Sequence, residues 1–342
     1  MDWDPETLTS TLSGFGDLPG LTKLTLDCAR FPKRHLGQVG KCIERSMPRL
    51  TDLNLNLSVE SFTVDPECRA RGTVQMPLSL GELASLTSLR LEITGNCHAA
   101  FIHTTCLKTL VSTLPTTLSS LVLDGCSYIP CGMAHLHDLS RLTLLQLGNS
   151  SFPADFPFGS LRHLTVRGLS LRQLRHEHTA IGMMTQLRSL DIFHMEAVPP
   201  EIGNLTHLHT LSLSRVFGGD VKDFPDGFSR LQSLRVLRMT QCGLDVVPGV
   251  VTSLTGLREL SVTCCDFLTS IPPLGHLSSL RKLDFSRNVH LTDPRRSLDG
   301  VTSLTSLTHL DLHRCLSLPV PALHMPNLEF FDVTGCAPHT TS

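Results

Sequence analysis

The sequence predicts an α/β fold, a solenoid in which short parallel strands are stacked coil upon coil. Two consecutive stretches starting at Leu234 and Leu257 each place large apolar residues at positions 1, 4, 6 and 11. Each also has a cysteine at position 9 and a proline a few residues later. A third copy starts at Leu280 and has Asn288 at position 9. A pattern recurring at such a period is typical of stacked repeats.

The alternation within each copy predicts a strand with one buried and one open face. Leu237 and Met239 alternate with Val236, Arg238 and Thr240, and successive side chains of a strand point to opposite sides. Such a strand is unstable alone, because its apolar face lacks a neighbour and its edges carry unpaired N–H and C=O groups. Parallel stacking supplies an apolar neighbour and partners for the backbone groups, and a return segment after each strand closes the coil.

Nearly the whole chain follows this register, which predicts about thirteen parallel strands. Position 1 of the successive copies is assigned to Leu21, Leu50, Leu86, Leu118, Leu142, Leu161, Leu187, Leu208, Leu234, Leu257, Leu280, Leu307 and Leu328. The copies of the N-terminal half are less regular. The longest gap, residues 59–77, lacks the periodicity and predicts a loop inserted on one coil, either functional or merely tolerated.

The return segments predict little helix. Residues 199–205 have the form P-x-x-φ-x-x-L, and variants start at Pro225, Pro248 and Pro272. Proline fixes φ and donates no hydrogen bond, so it favours irregular or 3-10 structure. We expect a horseshoe with the strands on the concave face and mostly irregular or 3-10 convex segments. Residues 1–17 are expected to form an N-terminal cap, 18–336 the solenoid and 337–342 a tail.

The copies from Leu234 and Leu257 follow the pattern L-x-x-L-x-L-x-x-[N/C]-x-L with other large apolar residues at some leucine positions, and the copy from Leu280 follows it as far as Asn288. This pattern resembles that of the leucine-rich repeat proteins. The P-x-x-φ-x-x-L returns are similar to those of the intracellular repeats of plant immune receptors and Ras-pathway scaffold proteins, and cysteine at position 9 is similar to the repeats of F-box adaptors. No G-x-x-x-x-G-K-[ST] motif is present, and no F-box is recognisable before Leu21. The resemblance implies a recognition module that binds through its concave face.

Charge and hydropathy predict a soluble cytoplasmic protein. The formal net charge of −2 gives no electrostatic reason to expect nucleic acid or an anionic membrane as a partner. The first residues, MDWDPETLTSTL, lack the basic and apolar regions of a secretory signal. No window approaches 18 uninterrupted apolar residues, so no membrane span is expected.

The twelve cysteines are expected to be free thiols in a reducing compartment. They recur in one part of the register, with Cys28 and Cys264 at position 8 and five more at position 9: Cys126, Cys242, Cys265, Cys315 and Cys336. A thiol in this slot acts as a small buried hydrophobe with a weak donor.

Metal binding and catalysis find little support, and we expect no metal, no cofactor and no enzymatic activity. The motifs H-E-x-x-H, G-x-S-x-G and C-x-x-C are absent. Four zinc-ligand types fall within ten residues: Cys97, His98, His103 and Cys106. The alternative is that they are scattered along an amphipathic return segment. A second polar group on the open face, which could hold a divalent ion or simply be solvated, comprises Asp284, His309, Asp311 and His313.

The open face offers candidate partner-binding residues. Asp284, Asp311 and Asp332 occupy position 5 of neighbouring coils and form an acidic row, which Glu259 extends at position 3. Like charges at a strand spacing of about 4.8 Å repel one another unless something basic meets them. The alternative is that the flanking Lys282, Arg287 and Arg314 neutralise the row. The full candidate set is Phe193, Arg238, Glu259, Asp284, Asp311, His313, Phe330 and Asp332.

We therefore expect a non-enzymatic module that binds a protein partner through its concave face, in signalling or defence. A rigid, preformed surface loses little ordering entropy on binding. The alternative is an adaptor or regulatory subunit of an enzyme complex, such as a ubiquitin ligase or phosphatase scaffold. Few residues follow Cys336, so strand thirteen is expected to be poorly capped. This predicts a monomer or a weak association through the C-terminal end.

Overall fold

The structure is a computed structural model, and the chain divides into two compact units, residues 1–169 and 170–342. The described residues are 18–28, 33–58, 78, 80–94, 107–126, 129–145, 152–153, 156–167, 181–195, 197–216, 224–292, 297–318 and 325–337. The predicted cap (1–17) and inserted loop (59–77) lie outside these ranges, as do Cys97, His98, His103 and Cys106.

The first unit stacks six strands, each paired in parallel with the next. They are β1 (Lys23–Cys28), β2 (Asp52–Ser58), β3 (Ser88–Thr94), β4 (Ser120–Asp124), β5 (Arg141–Leu145) and β6 (His163–Arg167). Leucines at positions 4 and 6 face inward, so β3 alternates buried and half-buried residues along its length. The alternation in the sequence therefore produces the expected strands.

A regular α-helix, α1 (Lys33–Ser46), returns the chain from β1 to β2. It is an exception to the prediction of irregular or 3-10 returns, and no proline interrupts it. Val39, Ile43 and the following Met47 are spaced four residues apart and are buried. This spacing places all three on one side of the helix, which packs inward.

The second unit stacks seven strands, again each parallel to the next. They are β7 (Ser189–Met195), β8 (Thr210–Val216), β9 (Val236–Thr240), β10 (Glu259–Thr263), β11 (Lys282–Asp284), β12 (His309–Asp311) and β13 (Phe330–Asp332). Its returns include 3-10 segments at Pro200–Asn204, Asp226–Arg230, Gly249–Ser253 and Ser297–Ser303. The predicted solenoid of parallel strands is confirmed, and within this unit so are the 3-10 returns.

The pairing register corrects one predicted repeat start. Leu142 pairs with Leu121 and Leu164, which both stand at position 4, so its copy starts at Leu139. The sequence around Leu142 fits the pattern in two alignments three residues apart. Only the alignment from Leu139 places its leucines in line with those of the neighbouring strands. The paired strands agree with the other predicted starts.

The large apolar residue after the strand stands at position 11 in the copies from Leu234 and Leu257, but in three coils the buried apolar residue is at position 12. Phe267 at position 11 is 68% exposed, whereas Leu268 after it is buried. The N–H of Leu268 donates to the carbonyl of Cys265 (3.0 Å). The turn closed by this hydrogen bond directs Leu268 inward. Leu291 and Leu318 are buried at the same position 12.

Position 8 adopts the left-handed conformation at the end of strands in both units. Gly125 and Gly335 have φ of 75° and 77°, values that glycine adopts without steric cost. Five other residues at this position have φ between 53° and 62°: Arg215, Gln241, Cys264, Arg287 and Arg314. For a residue with a Cβ this conformation costs roughly 1–2 kcal/mol.

Position 9 binds the backbone of a neighbouring coil. The buried thiol of Cys315 donates to the carbonyl of Phe285 (3.0 Å), and Cys336 donates to that of Leu312 (2.9 Å). Asn288 makes two such bonds, because its Oδ1 accepts from the N–H of Cys265 (2.8 Å) and its Nδ2 donates to the carbonyl of Val262 (2.7 Å). Its Nδ2 also donates to the carbonyl of Phe285 in its own coil (2.7 Å). The predicted role of position 9 as a buried weak donor is confirmed for Cys315.

The buried thiols predict a fold that is sensitive to alkali. Burial raises the pKa of Cys28 and of Cys315 to about 12. Unfolded thiols ionise near pH 8.5–9, so the folded state loses stability as the pH rises from about 9 towards 12 and keeps it in full below. Each thiol contributes a slope of about 1.4 kcal/mol per pH unit in this window.

The measurement is the urea-unfolding free energy of the wild type and of Cys28→Ala/Cys315→Ala at intervals from pH 7 to 11. The wild type is expected to lose stability more steeply above pH 9. Parallel curves for the two proteins would contradict the assignment.

No helix in the described ranges is both long enough and apolar enough to cross a membrane.

Candidate functional site

The open face of a strand carries positions 3, 5 and 7, and on β11–β13 it holds the three aspartates of the acidic row. Asp284 pairs with Asp311, and Asp311 pairs with Asp332, all at position 5. Adjacent strands are about 4.8 Å apart, so three carboxylates occupy a strip about 10 Å long. Ser261 and Arg238 continue position 5 onto β10 and β9.

Each aspartate also closes the turn that follows its strand. One carboxylate oxygen accepts the backbone N–H two residues later: Ser286 for Asp284 (3.0 Å), His313 for Asp311 (3.0 Å) and Thr334 for Asp332 (2.8 Å). Asp332 additionally accepts from the hydroxyl of Thr334. Both Thr334 bonds favour the charged form and lower the pKa of the Asp332 carboxyl.

His313 connects the acidic row to a flanking arginine. Its Nδ1 lies 2.8 Å from Oδ1 of Asp311, and Nε of Arg287 donates to its Nε2 (3.3 Å). Because Arg287 can only donate, these partners assign the proton to Nδ1, which donates to Asp311. The flanking arginine therefore reaches Asp311 through the imidazole and not directly.

Three of these side chains have the composition of a cation site. The ligand atoms of Asp311, His313 and Asp332 all lie within 4.8 Å of one another. Binding an ion through Nδ1 of His313 would break its bond to Asp311. The absence of a metal remains a prediction.

Glu259, predicted to extend the acidic row, is engaged elsewhere. Its Oε1 accepts from Nε of Arg238 at 2.8 Å, and its side chain is only 18% exposed. The neighbour in register with Glu259 on β11 is Lys282. The negative charge of Glu259 is thus compensated within the open face, whereas the acidic row lies beyond it on β11–β13.

The candidate aromatics lie in two separate places. Phe193 on β7 lies under the guanidinium of Arg215 (5.2 Å to the ring centroid), and Arg215 donates to Gln241 (3.0 Å). Phe330 on β13 stacks on His309, with centroids 5.9 Å apart. Four strand spacings, about 19 Å, separate β7 from β11. Phe193 therefore forms a patch distinct from the acidic row, while Phe330 borders it.

The turn-closing role of the aspartates was missed in the sequence. A local signal existed, because the segments read Asp-x-Ser, Asp-x-His and Asp-x-Thr from Asp284, Asp311 and Asp332. Aspartate commonly accepts the N–H two residues later in such turns. Part of the reason for acidic residues at position 5 is therefore structural, and it uses one oxygen of each carboxylate.

Comparison with known proteins identifies the repeat. The family described as "Leucine-rich repeat region" matches residues 150–336. Disease resistance protein RPS4B of Arabidopsis thaliana is 30% identical over 172 residues, which cover 39% of this chain and 14% of that protein. A putative disease resistance protein of the same plant is 27% identical over 263 residues, covering 66% of this chain and 21% of that protein. The chain thus spans about a fifth or less of the length of these curated relatives.

Solved structures agree on the fold. A leucine-rich repeat protein of Leptospira interrogans has a TM-score of 0.58 at 18% identity, covering 97% of this chain and 82% of that one. The functional domain of InlJ from Listeria monocytogenes has a TM-score of 0.54 at 16% identity, covering 94% of this chain and 64% of that one. With the family match over more than half of its residues, the chain belongs to the leucine-rich repeat family.

Proposed function

We propose that this chain is a non-enzymatic recognition module that binds a basic segment of a protein partner through the acidic row. The observation that carries the proposal is the alignment of Asp284, Asp311 and Asp332 on three adjacent strands. In Asp311 and Asp332, the second carboxylate oxygen accepts no hydrogen bond from a described residue. These oxygens are free to accept from lysine or arginine side chains.

The module is proposed to act in plant-type defence signalling in the cytoplasm. Its support is the similarity to proteins named as disease resistance proteins. Phe330, 44% exposed at the border of the row, adds an apolar contact of the kind that anchors interfaces. The alternative, an adaptor or regulatory subunit of an enzyme complex, uses the same face with a different partner.

The test is co-precipitation with mass spectrometry, comparing the wild type with Asp284→Asn/Asp311→Asn/Asp332→Asn. Asparagine removes the charge but keeps an oxygen that accepts the turn-closing N–H, so the fold is retained. Each lost charge pair costs about 0.2–1 kcal/mol. Three lost pairs together are therefore expected to weaken partner binding roughly three- to 150-fold.

The matched control is Asp138→Asn/Asp226→Asn/Asp266→Asn, which removes three exposed carboxylates from elsewhere on the surface. It is expected to recover the partner as the wild type does. Equal recovery of the partner by both triple variants would contradict the proposal. A recovered ubiquitin ligase or phosphatase subunit would favour the adaptor function.

A further inference from the structure

A second charged surface lies at position 2, just before the strands of the second unit. Position 2 of five successive coils holds a basic residue, and these five residues are called the basic row: Arg188, His209, Arg235, Arg258 and Arg281. Backbone bonds hold them in line, because the N–H groups of the last four members each donate to the position 2 carbonyl of the preceding coil, every time at 2.8 Å. Four strand spacings give the row a length of about 19 Å.

The backbone at position 2 does not require basic side chains. In the first unit the same position holds a hydroxyl residue in five of the six coils, namely Thr22, Thr51, Thr87, Ser119 and Ser140, and Arg162 in the sixth. There the hydroxyl donates to the position 2 carbonyl of the coil before, as in Thr51 to Thr22 (3.0 Å). After Arg281 the hydroxyl returns, with Thr308 donating to the carbonyl of Arg281 (3.2 Å). Over a limited run of coils, the basic residues thus replace hydroxyl side chains that bond to the backbone of the preceding coil.

Three members of the basic row have no counter-charge. In the described part of the chain, the guanidinium groups of Arg188, Arg258 and Arg281 form no ion pair or hydrogen bond. All three residues are exposed. Arg235 instead donates to the carbonyls of Gln232 and Leu234 at 3.0 and 3.1 Å. Like charges stacked at strand spacing repel one another, and no ion pair with a described residue compensates these three groups.

We propose that the basic row is a second binding surface, which takes an acidic peptide segment in extended conformation. Six extended residues span about 20 Å, the length of the row. Carboxylates on alternate residues then face the guanidinium groups, which recognise carboxylates through paired hydrogen bonds. Next to the row, the turns hold neutral hydroxyl and amide side chains such as Gln232, Ser278 and Ser279.

The width and composition of the row favour a peptide over nucleic acid. The row is one residue wide and contains no Phe, Tyr or Trp, whereas proteins that bind single strands combine a basic groove with aromatic stacking platforms. The chain as a whole carries a net charge of −2. At the far end, Glu329 occupies position 2. Its charge repels an acidic segment and limits its extent beyond Arg281.

The experiment measures fluorescence anisotropy of a fluorescein-labelled peptide of four Glu-Ser repeats at low salt. The test variant is Arg258→Gln/Arg281→Gln. The control is Arg287→Gln/Arg314→Gln, which removes the same charge at position 8, at the opposite end of the strands. Glutamine suits position 8, because Gln241 already occupies it with φ of 53°. Circular dichroism and urea unfolding verify that both variants are folded.

The wild type is expected to bind the Glu-Ser peptide and to lose affinity with rising salt. The test variant is expected to bind about tenfold more weakly, and the control within about twofold of the wild type. Equal weakening by both variants, or equal binding of a Gln-Ser peptide, would overturn the proposal. Stronger competition by a thymidine octanucleotide at equal anionic charge would assign the row to nucleic acid instead.

Discussion

Asn288→Ala is expected to lower the free energy of unfolding by about 3 kcal/mol, because it leaves buried backbone groups without partners. The Asn288 side chain is fully buried and joins three backbone groups of two coils. Alanine leaves the N–H of Cys265 and the carbonyl of Val262 without these bonds. The carbonyl of Phe285 still accepts from Cys315. Urea unfolding followed by circular dichroism measures the change.

Two further variants sharpen this test. Asn327 is exposed and makes a single bond to the carbonyl of Thr305 (2.8 Å), so Asn327→Ala is expected to cost less than about 1 kcal/mol. The loss of stability in Asn288→Cys is expected to fall between those of the two alanine variants, since a thiol at position 9 supplies one weak donor. An Asn288→Ala protein as stable as Asn327→Ala would show that the buried bonds contribute little.

Gly203→Ala is expected to cost about 2 kcal/mol, because two return segments meet backbone to backbone at this glycine. Gly203 lies in the 3-10 segment Pro200–Asn204, and Gly227 lies in the next, Asp226–Arg230. A Cβ at Gly203 would stand 2.9 Å from the Cα of Gly227 and still closer to its carbonyl oxygen. Relief of the overlap requires the two coils to separate.

The control substitution lies in the same kind of segment. Gly249 is in the 3-10 segment Gly249–Ser253, and a Cβ there meets nothing within 4 Å. Gly249→Ala is expected to be neutral or to stabilise by up to about 1 kcal/mol, since alanine restricts the unfolded chain. Both variants are compared by urea unfolding. Similar stabilities for the two would contradict the close approach at Gly203.

The strands were predictable because one alternation fixes each of them. Large apolar residues at positions 4 and 6 can only face inward, and register then follows by stacking. The alternation fails where two alignments fit equally, as at Leu142, which only the neighbouring Leu121 and Leu164 resolve. Helix α1 escaped prediction because the expectation for the returns came from the proline-containing ones. The spacing of Val39 and Ile43 carried the helical signal.

The strand position of each site residue could be predicted from the sequence, but its hydrogen bonds could not. Register alone places Asp284 beside Asp311, since both stand at position 5. Whether a side chain turns to its own backbone, as Asp311 does, or across to the next coil, as Arg238 does towards Glu259, depends on rotamers. The basic row was visible in the sequence at position 2. The predicted binding residues do not include it, because position 2 lies outside the open face of the strands.

The left-handed residue at position 8 sets a limit on how such a chain can evolve. Arg215 and Arg287 adopt this conformation at a cost that glycine would avoid, and each reaches a side chain on the open face, Phe193 and His313. In stacked repeats the stabilities of the coils add approximately. Every coil with a long side chain at position 8 therefore lowers the stability of the whole array. Longer arrays, in which more coils contribute stability, tolerate more of these side chains than short arrays do.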